Sequence, residues 1–300
     1  MHHKIDDGNH GTFDTYVVKF YGISQDPETK NYIMVLEYAE NGSLRNYLDT
    51  NYDKLSWDTK FCNLSHIAYG LHKIHKKELI HRDLHIGNIL SFSSITRITD
   101  MGLCRPADYN ELENTNKNKI YGVLPYIAPE ILRGQNYTKA ADVYSFGIIL
   151  YEVFSGLPPY HDISHDKNLA MKVCLGLRPR FNIKIPQLIV HLIKRCLDAN
   201  PLNRPTADEV EKILTQWRKE LHHNLDQTEL QKQIKEAEEI NNLSTNSIIS
   251  STSLALSYET HSEAIYTSRL LNFNNLPEPK NSDDYYKRSD DIISKEYSGN

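Results

Sequence analysis

The sequence predicts an α+β fold: one antiparallel pair of strands near the start, a mostly helical domain after it, and a polar tail. Three observations predict it. Val17 to Gly22 and Tyr32 to Leu36 are β-branched and aromatic runs joined by a turn containing Asp26-Pro27, the pattern of two paired strands. From Trp57 to His75 the apolar residues Phe61, Leu64, Ile67, Ala68, Leu71 and Ile74 recur every three or four positions, the period of a helix with one buried face. Beyond about His222 the character changes, and after Asn241 the residues Asn, Ser, Asp and Tyr dominate, with no sustained apolar period.

Composition narrows the function classes. The 300 residues, 39% hydrophobic and 24% charged, are enough to bury a core. The mean hydropathy of -0.55 implies that part of the chain is more polar than a packed domain needs. A formal net charge of -5 offers no basic face, so neither nucleic acid nor an anionic membrane is an expected partner. Cys62, Cys104, Cys174 and Cys196 lack C-x-x-C spacing and read as reduced thiols of a cytoplasmic protein. No signal peptide opens the chain. Its most apolar run, Phe146 to Phe154, is interrupted by Glu152 and falls short of the ~20 residues that span a bilayer. Among the 14 histidines, the pairs His72/His75, His2/His3 and His222/His223 invite a metal reading, but none has further ligands at zinc spacing.

Taken in order, residues 1–14 read as a loop or a frayed helix end. After the strand pair, Glu37 to Gly42 is a polar break before Ser43-Leu44, a cap to a short helix. Ser56 is a good N-cap for the long helix from Trp57. That helix leads into Ile80 to Leu90, Ile-His-Arg-Asp-Leu-His-Ile-Gly-Asn-Ile-Leu, a loop that carries chemistry. Asp83 is placed to accept the proton of an attacking hydroxyl, Asn88 can offer an amide oxygen to a divalent cation, and Arg82 supplies fixed positive charge. Leu79-Ile80 and Ile89-Leu90 anchor the loop on either side. Ile95 to Thr99 is a short strand running into Asp100, and residues 103–121 are a mobile loop by composition. Helices are predicted from Asp142 to Phe154 and near Asp166 to Leu175, Gln187 to Leu197 and Ala207 to Leu221, punctuated by Pro158-Pro159, Pro179 and Pro201. Gln227 to Asn241 is a candidate charged helix in the tail.

The loop resembles the protein-kinase catalytic loop, H-R-D-L-x-x-x-N, and the order of the downstream motifs strengthens the likeness: Asp100-Met101-Gly102, Ala128-Pro129-Glu130, Asp142 to Gly147, and Arg204 in Asn-Pro-Leu-Asn-Arg-Pro. The resemblance covers about residues 17–218 and looks most like the tyrosine-kinase-like group. It implies a protein-kinase-like fold with residues 1–38 as a remnant of the N-lobe sheet, 39–221 as the helical C-lobe and 222–300 as a largely disordered tail. It also implies ATP and Mg2+ as cofactors. Adenine would meet backbone groups of Glu37 and Ala39 in the hinge around Tyr38, with Leu36 as gatekeeper and Leu90 beneath the ring. Asn88 and Asp100 would hold magnesium, and Asp83, Arg82 and His85 would act at the transfer site. His81, Met101 and Gly102 would support that site, with Met101 filling the usual Phe position. Glu130 and Arg204 would form a buried ion pair, and Asp142 would hold the catalytic loop from below. Tyr109, Thr115 and Tyr121 are candidate phosphosites whose phosphate Arg82 could pair with.

The chain departs from the family in several places. It has no G-x-G-x-x-G, no strand lysine and no helix glutamate ahead of the hinge, and Lys19 sits in the wrong strand to serve. It is therefore expected not to be a competent kinase alone and to be part of a longer gene. The two remaining strands should leave an uncovered edge and an exposed apolar face. Serine/threonine kinases generally carry Lys where this chain has His85 and Thr where it has Val123, so both polar partners of Asp83 are missing together. Tyrosine kinases would show Ala or Arg near His85 and a Trp near Tyr126, which leaves serine or threonine as the expected acceptor. The intact trio Asp83, Asn88 and Asp100 favours an enzyme over the alternative, a truncated kinase or pseudokinase acting as a protein-binding module.

Overall fold

The computed structural model describes residues 16–109, 120–222, 228–246 and 259–282. Its small part is a hairpin of β1 (Phe20–Gln25) and β2 (Tyr32–Leu36), paired antiparallel with a bulge between Phe20 and Gly22. Asp26 closes the turn by accepting from the amides of Glu28 and Thr29. The first strand starts later than its propensity implies. Val17 and Val18 are buried instead against Ile98, to which Val17 bridges in parallel. The expected apolar exposure is present: Tyr21, Ile23, Tyr32, Ile33, Met34 and Val35 all face solvent.

The large part is helical, and side-chain caps set most of its helix starts. Ser43 caps α1 (Leu44–Asn51), Ser56 caps α2 (Trp57–Lys76), Thr138 caps α4 (Lys139–Ser155) and Asp166 caps α5 (Lys167–Cys174). Between them lies the short α3 (Pro129–Leu132). After α6 (Gln187–Cys196), Thr206 and Glu209 bond each other's amides reciprocally at the start of α7 (Ala207–His222). Phe61, Leu64, Ile67, Ala68, Leu71 and Ile74 of α2 are all buried, as their spacing requires. Helix α4 is buried almost throughout and ends at Gly156, whose φ of +73° supplies the left-handed cap. Around these helices pack Phe61, Tyr144, Phe146 and Phe154, each burial contributing roughly 1.5–3 kcal/mol.

Short strand pairs frame the loop that carries chemistry. Strands β3 (Leu79–Ile80) and β6 (Arg105–Pro106) pair on one side, and β4 (Ile89–Ser91) and β5 (Thr96–Ile98) on the other. The stretch expected to be a mobile loop thus contains β6 and ends in β7 (Ile120–Gly122). Thr115 lies outside the described residues, as do 1–15.

The candidate charged helix of the tail forms, and residues 259–282 are ordered where composition implied disorder, because the sparse apolar residues of both find a surface on the helical domain. Helix α8 (Glu229–Asn246) buries Leu230, Ile234 and Ala237 on one face, packs on α7 and is tied to α2 by Trp57 Nε1 donating to Glu238. Residues 259–282 run across the helical domain, and β8 (Arg269–Leu271) pairs antiparallel with β7. Tyr266, Phe273 and Leu276 pack against the core there, and Leu271 is buried.

Candidate functional site

Asp142, in the first turn of α4, is the post on which the site stands. Its carboxylate accepts from the amides of His81, at 2.8 Å, and Arg82, at 2.9 Å, and bonds His75 Nε2 at 2.9 Å. Burial alone would raise its pKa, but the bond and charge of His75 and the Arg82 amide hold it below the usual carboxylate range. An ionised group therefore grips two successive amides. That grip matters because Arg82 has φ of +74°, a conformation a non-glycine residue adopts at a cost of about 1–3 kcal/mol. The Arg82 guanidinium lies over the Tyr137 ring at 4.7 Å.

Asp83 is the next residue and is 7% exposed. Burial raises its pKa, opposed by a hydrogen bond from Ser268. The Ser268 hydroxyl donates to Asp83 Oδ2 at 2.7 Å and lies 3.3 Å from His85 Nε2. His85 Nδ1 accepts from the Gly87 amide at 3.1 Å, so its proton sits on Nε2, aimed at the same hydroxyl. Burial pushes the His85 pKa down to about 4, which keeps the ring neutral. The Lys and Thr that usually stand by this aspartate are absent, and His85 and Ser268 flank it instead. Gly122 of β7 lies beside this carboxylate at φ of +150°, and a Cβ there would press on Ile127 Cδ1 at 3.2 Å.

Asn88 Nδ2 donates to the Asp83 carbonyl at 2.9 Å, which fixes the amide and leaves Oδ1 as its acceptor. Asp100, exposed and at φ of +58°, accepts from the Gly102 amide with one oxygen, and its charge reaches Asp83. His81 Nε2 bonds the Thr99 carbonyl at 3.0 Å, and Met101, next after Asp100 in the chain, is buried. Farther out, Arg204 makes a two-pronged pair with Glu130, both bonds at 2.7 Å and both residues buried.

Residues 12–214 match the protein tyrosine and serine/threonine kinase family. The chain belongs to the protein kinase family. It is 34% identical over 210 residues to human mitogen-activated protein kinase kinase kinase 7, a match covering 66% of this chain and 32% of that protein. It is 30% identical over 207 residues to a protein of Dictyostelium discoideum named "Probable serine/threonine-protein kinase", covering 65% of this chain and 11% of that one. The chain therefore spans well under half the length of these relatives.

The kinase fold is α+β with a reduced N-lobe sheet, as the motif order implies. Kinases of this family generally use ATP and magnesium. Asn88 and Asp100 offer hard oxygens. Among the described residues no group of three His, Cys, Asp or Glu could hold a metal. A cation here would therefore complete its shell from phosphate oxygens and water, as a nucleotide-borne magnesium does. At the hinge one expectation narrows. The Glu37 amide donates to the Lys19 carbonyl at 2.9 Å, so Glu37 retains only its carbonyl for a purine. Its side chain pairs with Arg97. Ala39 is buried, Tyr38 is exposed, and Leu36 and Leu90 are partly buried. Tyr109 and Tyr121, on either side of the Thr115 stretch, are both exposed.

Sequence reasoning missed Ser268, His75 and Gly122. For His75 the signal was its burial on α2 one turn before the catalytic loop. For Ser268 it was a small apolar cluster, Leu270, Leu271 and Phe273, inside an otherwise polar tail.

Proposed function

We propose that the chain is the catalytic part of an ATP-dependent serine/threonine protein kinase acting in intracellular signalling. The observation that carries this reading is a serine hydroxyl held 2.7 Å from Asp83 by a β-paired segment, the position an acceptor hydroxyl must take. In this reading Asp83 takes the acceptor's proton, and His85 donates from Nε2 to orient the hydroxyl. Asp142 keeps Asp83 in place by gripping the loop backbone. Asn88 and Asp100 hold magnesium, which when bound neutralises phosphate charge. Glu37, Ala39, Leu36 and Leu90 frame the adenine, and a phosphate on Tyr109, Thr115 or Tyr121 would pair with Arg82. The partners are protein substrates bearing serine or threonine. The proposed location is cytoplasmic; among the described residues no helix is long and apolar enough to cross a membrane.

The test is transfer of radiolabelled phosphate from Mg·ATP to casein, followed by phosphoamino-acid analysis. Label in phosphoserine and phosphothreonine is expected, at a rate lowered by roughly 10³–10⁵ if the missing phosphate clamp weighs as much as a transition-state arginine. Asp83→Asn should abolish it while leaving nucleotide affinity nearly unchanged. Undiminished transfer by Asp83→Asn, or label confined to phosphotyrosine, would sink the reading.

A further inference from the structure

Residues 259–282 are fastened on both sides of Ser268. Upstream, the His261 amide donates to the His161 carbonyl at 2.8 Å, and the Ile265 amide donates to His165 Nδ1 at 3.0 Å. Tyr266 donates its hydroxyl to the Pro159 carbonyl at 3.0 Å and sets its ring edge-on to His165. Downstream, Leu271 is buried where β8 pairs with β7, and the Lys280 amide donates to the Cys174 carbonyl at 3.0 Å. Between these anchors the chain has one side chain on Asp83, and it is a hydroxyl. A segment that only filled the groove would need no hydroxyl there, since alanine or glycine would fit the same backbone path.

We propose that Ser268 is a phosphoacceptor served in cis by Asp83, and that its phosphate expels residues 259–282 from the groove. The inference rests on the kinase reading above. In the transfer step the Ser268 Oγ–H bond breaks and its proton passes to Asp83 Oδ2. Oγ bonds the terminal phosphorus of a nucleoside triphosphate, and the bond from that phosphorus to its bridging oxygen breaks, releasing the nucleoside diphosphate. The product carries a charge of about -1.5 to -2 against the buried Asp83 carboxylate. Like charges repel strongly at such a site, and next to Ser268 they act against the pairing of Arg269–Leu271 with Ile120–Gly122 and the bonds of Ile265 and Tyr266 to His165 and Pro159. The segment thus occupies the groove only until it is modified.

The experiment incubates the purified protein with Mg·ATP and casein, maps phosphate by mass spectrometry, and repeats this over a wide range of protein concentration. Phosphate on Ser268 at a rate independent of concentration, and lost in Asp83→Asn, is the expected result. Label on casein with Ser268 unmodified overturns this inference and leaves the kinase reading standing, whereas no label on either overturns both. A second measurement needs no transfer. Ser268→Glu should speed amide exchange at Arg269–Leu271 by about tenfold or more relative to Ser268→Ala, the ~1.4 kcal/mol equivalent of a modest like-charge repulsion. Equal protection in the two variants overturns the expulsion.

Discussion

Replacing Arg204 by methionine orphans the Glu130 carboxylate, and the structure allows the cost to be worked out. Glu130 is 3% exposed, and both of its oxygens are bonded to Arg204. Removing one partner of such a pair costs about 3–5 kcal/mol, because the other charge is left buried and uncompensated. Arg204 also donates to the carbonyls of Asp198 and Ala140, whose loss adds roughly 1 kcal/mol each. The sum of about 5–7 kcal/mol is comparable to the whole stability of an ordinary domain, about 5–15 kcal/mol. The double variant Glu130→Met/Arg204→Met removes the orphaned charge and should recover about 3 kcal/mol or more relative to Arg204→Met alone. Urea titration reads this through Trp57 and Trp217, the chain's two tryptophans, which both pack against Phe61. A double variant as unstable as the sum of the two single losses would refute the reasoning, since the charges would then not be coupled.

Asp142→Ala should cost about 3 kcal/mol or more by leaving the His81 and Arg82 amides without their acceptor, and a urea midpoint shift under ~1 kcal/mol would argue against that role. Stability should also fall with acid. His85 and His66 are held neutral by burial, each with its pKa down at about 4 from 6.5, so this stabilisation is complete above pH 6.5 and lost as pH falls toward 4. His85 faces Asp83, His81, Asp100, Arg45, Ser268 and the Tyr126 ring. His85→Asn should flatten the slope of stability against pH by roughly 1.4 kcal/mol per unit across that window, and an unchanged slope in urea titrations at pH 5 and 7 would exclude it. Ile23→Lys with Met34→Glu, on the exposed hairpin, should reduce concentration-dependent light scattering without lowering the melting temperature; a lower melting temperature would mean that those side chains are packed.

The parts legible in the sequence are those whose determinants are local or carried by a motif. The buried stripe of α2 and the Ser56 cap follow from spacing alone, and the pairing of Glu130 with Arg204 is what the resemblance to the kinase family implies. The start of β1 was not legible, because β propensity in Val17-Val18 says nothing about which strand they meet, and they meet Ile98. His75 read as one of many histidines, because its partner Asp142 is 67 residues away.

The tail shows the limit most clearly, and physically. Composition predicts disorder when a segment cannot bury enough apolar surface by itself. Helix α8 needs only Leu230, Ile234 and Ala237 because α7 supplies the other face, and residues 259–282 need only Tyr266, Leu271, Phe273 and Leu276 because the helical domain supplies theirs. Neither surface is visible from the tail's own residues. The same holds for chemistry: Ser268 lies 185 residues from Asp83, and the apolar cluster beside it marks a docked segment without saying which residue it meets. What places it is the register of β8 on β7, with Arg269 opposite Gly122, which lies beside Asp83. A shift of one residue in that register would turn Ser268 to the other face of the strand and leave Asp83 with His85 alone.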